Sequence, residues 1–221
     1  MEDWTSYLLY EGVFWASMTG LTLGFSLRTE GMRHVPPTGA ALLIANHQSY
    51  LDPALVGLAA RRHLRFLARK TLFRSRWFGW LIRTLNAVPI DQEGTGLEGL
   101  KTILHQLQAG QAVLVFPEGH RTGTGELLPL KPGIQLLIRR TEAPVVPVGI
   151  AGAYEAWPRW SPLPIPAPLF LPPGKGTLAV SVGRPLDRRR LLDLPRDTLL
   201  TELSAELQKV QHRAERLRRK A

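Results

Sequence analysis

His47 and Asp52 stand five residues apart in Asn46-His47-Gln48-Ser49-Tyr50-Leu51-Asp52, directly after the apolar run Ala40-Ala41-Leu42-Leu43-Ile44-Ala45. A carboxylate that accepts the Nδ1 hydrogen of an imidazole fixes its tautomer and leaves Nε2 to take up a proton. The pair therefore suits general-base chemistry. A plainer reading stands beside it: Asp52-Pro53 is a good cap and first-turn pair for a helix, and His47 a residue of the turn. A carboxylate has two oxygens and can serve both purposes. A second constellation, Phe116-Pro117-Glu118-Gly119-His120-Arg121-Thr122, follows the apolar run Ala112-Val113-Leu114-Val115. Arginine can grip a phosphate with two N–H groups, and glycine lets backbone amides approach an anion. The alternative is a Pro-Gly turn carrying a surface Glu118–Arg121 pair.

Both constellations need strands that end where they begin. Residues 41–45 and 112–116 read as buried parallel strands, because their apolar runs are nearly continuous. Residues 53–60 read as a helix, with Asp52 as its N-cap and Pro53 at its first position. Further strands are expected at 25–29 (an edge), 64–68, 87–90, 145–150 and 178–182. Helices are expected at 72–85, 95–109, 133–140 and 197–220. Alternation of strands and helices from about 41 to 150 argues an α/β fold with a largely parallel sheet flanked by helices. Residues 157–173 hold seven prolines and read as a surface excursion without regular structure. A literal G-x-G-x-x-G at Gly94-Thr95-Gly96-Leu97-Glu98-Gly99 is separated from its strand by Asp91, Gln92 and Glu93. It reads as the glycine-rich start of a helix and not as a dinucleotide fingerprint.

The 221-residue chain carries a net charge of +10, with a pI of about 10.6. A balance this basic points to an anionic partner: nucleic acid, an acidic bilayer, a phosphorylated substrate or an acidic carrier protein. Between Pro53 and Ile90 stand Arg61, Arg62, Arg65, Arg69, Lys70, Arg74, Arg76 and Arg83, with no acidic residue among them. The absence of cysteine excludes disulfides, thiolate metal sites and a cysteine nucleophile. Residues 4–27 carry one charge, Glu11, and the aromatic residues Trp4, Tyr7, Tyr10, Phe14 and Trp15. They lack the basic n-region and small-residue cleavage site of a signal peptide. Glu11 would cost a few kcal/mol at the centre of a span. One or two interfacial helices in the headgroup layer are expected, ahead of a transmembrane span or a buried soluble helix as the alternatives.

Taken together, these segments resemble the glycerolipid acyltransferases of the 1-acylglycerol-3-phosphate acyltransferase type. That family's first block is N-H-x-x-x-x-D and its third F-P-E-G-[TH]-R-[ST], matched at 46–52 and 116–122. The short V-P-V-G strand of the fourth is matched by Val146-Pro147-Val148-Gly149-Ile150. The second block aligns with residues 86–92, with Gln92 standing where the family has arginine and Asn86 where it has glycine. Lys70-Thr71-Leu72-Phe73 resembles the K-x-x-L-F that precedes it. The resemblance covers about residues 30–185, four blocks in order.

The resemblance implies an N-terminal membrane-anchoring helical segment over residues 1–27. An acyltransferase domain follows over 28–221, with a basic C-terminal helix at about 197–220. It implies transfer of a fatty acyl group from a thioester of acyl carrier protein or coenzyme A to the sn-2 hydroxyl of lysophosphatidate, giving phosphatidate. In that reading His47 is the general base and Asp52 its orienter, and Glu118, Gly119 and Arg121 line the acceptor-phosphate side; Lys70 of the basic stretch is a further candidate for the phosphate. No metal or other cofactor is expected. Attack is expected to be direct, and Ser49 is the weaker alternative as an acyl carrier. The expected partner surface is a phospholipid bilayer, met peripherally or monotopically on its cytoplasmic face, with Trp77 and Trp80 beside the N-terminal segment. Two other readings remain: a different acceptor, such as glycerol-3-phosphate or another lysolipid, and a basic nucleic-acid-binding protein.

Overall fold

The computed structural model describes residues 4–90, 97–158, 160–161, 163–169, 174 and 176–219. The glycines at 94 and 96, and Asp91 and Gln92 of the second block, lie outside the described residues. Among those described, seven strands form one sheet: β1 (Arg28–Glu30), β2 (Ala41–Ala45), β3 (Leu64–Arg69), β4 (Ala87–Ile90), β5 (Ala112–Val115), β6 (Val145–Ala151) and β7 (Ala179–Val182). Their order is β1-β7-β6-β2-β5-β3-β4. Five run parallel, from β6 through β2, β5 and β3 to β4, while β7 pairs antiparallel with β6 and β1 parallel with β7. The expected α/β fold with a largely parallel mixed sheet is what the chain adopts.

Strands β2, β5, β6 and β7 are buried on both faces, as their continuous apolar runs require, while β1, β3 and β4 are partly open. Along β2, Ala41, Leu43 and Ala45 face one core with α2 (Asp52–Ala60), and Leu42 and Ile44 face the other. The second core is closed by α4 (Leu97–Gln108), α5 (Gly133–Arg140), α7 (Arg188–Asp193) and α8 (Arg196–Arg219). On α8 the buried residues Leu199, Leu203, Leu207, Val210 and Ala214 keep helical spacing. The helix passes so close to β6 that a β-carbon at Gly149 would stand 2.2–2.3 Å from the backbone of Val210 and Gln211. Only glycine fits there, which gives the V-P-V-G strand a packing reason.

The N-terminal segment is one helix, α1 (Trp4–Phe25). Tyr10 is buried with its ring 3.6 Å from that of His63, and Phe14, Met18, Leu21 and Phe25 pack on the first core. Tyr10 and Phe14, expected among the interfacial aromatics, thus turn inward. Burial, and secondarily Glu11, push the Tyr10 hydroxyl up to about 12. Trp4, Leu8, Trp15 and Leu23 remain exposed. No helix of the described residues is long and apolar enough to cross a membrane.

Two expectations need correction. The helix expected over 72–85 is divided into a 3-10 turn, Lys70–Arg74, and α3, Arg76–Thr84. Ser75 caps α3 by accepting from the Phe78 amide at 3.4 Å, and Gly79 lets the helix pack against the turn, where a β-carbon would stand 2.7 Å from the Phe73 carbonyl oxygen. Asp52 is not an N-cap. It is the first residue of α2, Leu51 holds the cap position, and no side chain caps that helix end.

Candidate active site

Because β2, β5 and β3 are parallel, their carboxyl ends meet at one edge of the sheet. His47 follows β2, residues 116–122 follow β5 and Lys70 follows β3. This is the edge where open parallel sheets hold ligands. The chain thereby brings together the constellations that stand some 70 residues apart.

Asp52 is fully buried, and its carboxylate turns back into the preceding turn. Oδ2 lies 2.7 Å from His47 Nδ1 and accepts from the amides of Gln48 and Ser49 at 2.5 and 2.8 Å. The cap reading does not hold in this geometry: the donors that Asp52 accepts precede it, and none belongs to the first turn of the helix. With Nδ1–H given to Asp52, Nε2 is the ring atom left for proton transfer. The imidazole stacks on Phe116, centroids 4.0 Å apart and planes at 15°. Its side chain keeps 19% of its surface open. A flat apolar wall and a buried carboxylate hold the ring in one plane.

Asn46 fixes the root of the turn. Its side-chain amide donates to the Ile150 carbonyl at 3.0 Å, and its Oδ1 accepts from the Ile150 amide at 2.8 Å. This pair of bonds ties the turn to β6 beyond the last β2–β6 register pair, Ala45 with Val148. Ser49 is buried, and its hydroxyl donates to the Trp157 carbonyl at 3.0 Å. A hydroxyl so committed and enclosed is not presented to an acyl donor.

Glu118 is buried within the same edge. Oε1 accepts from the His47 amide at 2.6 Å and Oε2 from the Leu128 amide at 2.8 Å, while the Thr122 amide donates to the His47 carbonyl at 2.9 Å. The two motifs are thus sewn together through the backbone of His47. Burial pushes the Glu118 carboxyl up to about 7, partly offset by the Leu128 and His47 amides and reinforced by the charge of Asp52. With both oxygens on backbone amides, Glu118 organises the loop; it does not point an acceptor group outward.

Gly119 has φ +77°, in the left-handed region that favours glycine. A β-carbon there would stand 2.9 Å from Lys131 Nζ, so the missing side chain lets an ammonium lie across the turn. Arg121 sets its guanidinium 3.4 Å over the Tyr50 ring, and its Nη1 is buried with no hydrogen-bond partner among the described residues. Lys70 is exposed at the carboxyl end of β3. The edge therefore gathers an imidazole, the carboxylate bound to it and several cations. Sequence reasoning missed Asn46, Tyr50, Phe116 and Lys131 as parts of the site. Asn46, Tyr50 and Phe116 lie inside the quoted motifs, whereas Lys131 is brought in by the loop that closes onto the Pro117 carbonyl through its own amide at 2.8 Å.

A profile of the Acyltransferase family matches residues 26–151. The 1-acyl-sn-glycerol-3-phosphate acyltransferase of Bacillus subtilis (strain 168) is 26% identical over 188 residues, covering 85% of this chain and 87% of that protein. A chloroplastic 1-acyl-sn-glycerol-3-phosphate acyltransferase of Brassica napus is 27% identical over 150 residues, 66% of this chain and 43% of that longer protein. In fold, the crystal structure of the 1-acyl-sn-glycerophosphate acyltransferase PlsC from Thermotoga maritima superposes with a TM-score of 0.77 at 23% identity, covering 100% of this chain and 85% of that one. The profile spans more than half of the 221 residues and contains both His47-Asp52 and the Glu118–Arg121 turn: the chain belongs to the acyltransferase family.

Proposed function

We propose that this acyltransferase moves a fatty acyl group from a thioester of acyl carrier protein or coenzyme A to the sn-2 hydroxyl of 1-acylglycerol-3-phosphate, forming phosphatidate. One observation carries the chemistry: Asp52 closes on His47 Nδ1 at 2.7 Å beside an arginine whose buried Nη1 has no protein partner among the described residues. A neutral hydroxyl is a weak nucleophile, so its proton must leave as it attacks. His47 Nε2 takes that proton, and the alkoxide oxygen adds to the thioester carbonyl. Collapse breaks the C–S bond, and the proton on Nε2 passes to the departing thiolate. Attack is direct, and no metal or redox group enters this scheme.

Arg121 and Lys70 receive the acceptor's phosphate in this reading, with Lys131 across Gly119 as a further cation. Glu118 and Gly119 shape the turn that presents them. Names of relatives support the acceptor, 1-acyl-sn-glycerol-3-phosphate, and the basic edge supports its phosphate. The chain meets the bilayer peripherally on its cytoplasmic face, where acyl thioesters are supplied. Exposed Trp4, Leu8 and Trp15 of α1 and Trp77 and Trp80 of α3 are the side chains suited to the interface.

The test is acyl transfer by purified protein to a panel of lysolipids and glycerol-3-phosphate, with each donor type in turn. Lysophosphatidate is expected to be the preferred acceptor; preference for an acceptor without a phosphomonoester refutes the assignment. Arg121→Ala should raise the lysophosphatidate KM by about tenfold, the loss of one charge-assisted hydrogen bond. The thioester KM should hold. An equal rise in both would show that Arg121 does not meet the acceptor.

A further inference from the structure

The Pro-rich excursion after α6 (Ala153–Ala156) is not absorbed by the chemistry, yet it is attached to the catalytic edge. Its root is held by the Ser49 hydroxyl on the Trp157 carbonyl, and the Trp157 ring lies 5.8 Å from that of Tyr50. Its far end is held by the end of α1: the Ala167 amide donates to Gly24, the Leu169 amide to Leu23, and the Ser26 hydroxyl donates to the Ala167 carbonyl. Since α1 leads into the start of β1, which runs opposite to β2, this end of α1 lies at the same edge as His47.

What the excursion exposes is apolar. Trp160 is 64% exposed, Leu163 73%, Ile165 49% and Leu169 51%, and Leu23 of α1 adds 55% beside them. Arg159 is the one charged residue of the sequence between Trp157 and Pro173. The backbone is also prepared for a medium without water. Pro164, Pro166 and Pro168 have no N–H, and the amides of Ile165, Ala167 and Leu169 donate to Ala156, Gly24 and Leu23. From 164 to 169 no amide is left to be desolvated. An irregular segment normally cannot enter lipid because unpaired backbone groups cost too much there. This one meets the N–H half of that condition without forming a helix or strand, and the Ala167 carbonyl is paired with the Ser26 hydroxyl.

We infer that residues 160–161 and 163–169 form a second membrane-inserting element, continuous with the end of α1, which seats the mouth of the catalytic edge on the acyl-chain side of an anionic bilayer. Its occupant is lipid. The chain's net charge of +10 supplies the long-range attraction to such a surface, and the apolar side chains supply the insertion. The inference rests on the proposed reading only for its purpose, delivery of a membrane-held acceptor to His47.

The absence of cysteine makes the test direct. A single cysteine placed by Leu163→Cys is labelled with an environment-sensitive fluorophore and mixed with vesicles of equimolar phosphatidylcholine and phosphatidylglycerol. The label should shift to an apolar emission and become shielded from aqueous iodide. The same label placed by Arg184→Cys, past the opposite end of β7, should remain in water. Combined Leu163→Ser, Ile165→Ser and Leu169→Ser should lower vesicle partition and transfer to vesicle-borne acceptor by about tenfold or more. Transfer to a short-chain, freely soluble acceptor should stay at the native rate. Unchanged partition of the triple variant, or a label at 163 that stays in water on vesicles, overturns the inference. So does a label that shifts without vesicles as protein concentration rises, since the covering surface would then be a second copy. Lack of transfer to the soluble acceptor by the native protein is a separate failure, that of the acyltransfer reading.

Discussion

His47→Ala should lower kcat by about 10²–10⁴, the range expected on losing a positioned general base. The loss should be catalytic and not structural. The imidazole lies at the rim, with 19% of its side chain open, and truncation leaves Asp52 Oδ2 with the amides of Gln48 and Ser49. The thermal transition followed by circular dichroism should therefore stay near that of the native chain. Asp52→Asn keeps an oxygen for the same donors and removes the charge that steadies the imidazolium. Its loss should be smaller and still at least about tenfold. Both are measured in detergent with saturating lysolipid. Turnover near the native value in either variant, with the fold intact, would remove the pair from the mechanism.

How much of this was legible in the residues depended on the range of the forces involved. The strand at 41–45 was readable to the residue because a buried parallel strand must be apolar on both faces, and Leu42 and Leu43 indeed face opposite cores. Likewise α5 was readable from Gly133 to Arg140. The reversal at β7 was not, since an antiparallel partner for β6 leaves no mark in a four-residue run. The break at Ser75 was hidden by an apolar spacing that runs on through it; a serine cap starts α3 afresh at Arg76, and Gly79 lets it pack against the preceding turn. At the site, the spacing of His47 and Asp52 announced a pairing but could not say which way the carboxylate turned. That was settled by the amides of Gln48 and Ser49, which need an acceptor once the turn is buried. The cation over Tyr50 and the ammonium across Gly119 depend on loop closure, and neither has a signature within one motif.

Glu118→Gln should lower kcat by about 10²-fold while leaving both KM values near native. Glu118 holds the backbone of His47 on one oxygen and that of Leu128 on the other. A glutamine has one oxygen and one NH2 for the same two donors, so one amide must face another donor. A buried donor left unpaired costs about 1–3 kcal/mol, which the loop relieves by moving. Displacing a proton-transfer group by about 1 Å is enough to cost about 10²-fold. The resemblance to the family places Glu118 on the acceptor's phosphate instead, and the two roles separate in kinetics. A positioning residue lowers kcat for every acceptor, whereas a phosphate-side residue changes the lysophosphatidate KM. The carboxyl adds a second signature through its titration. It is pushed up to about 7 from 4.5, chiefly by burial, so the folded chain holds a proton that the unfolded chain has released across that window. Folding takes up that proton, and the stability due to Glu118 falls as pH rises from about 4.5 to about 7 and is level above it. The span is worth roughly 3 kcal/mol. Denaturant titrations of the native chain and the glutamine variant between those pH values should diverge by that slope, which the variant lacks. A native kcat with a raised lysophosphatidate KM, or parallel pH–stability curves, would return Glu118 to the acceptor side or to the surface.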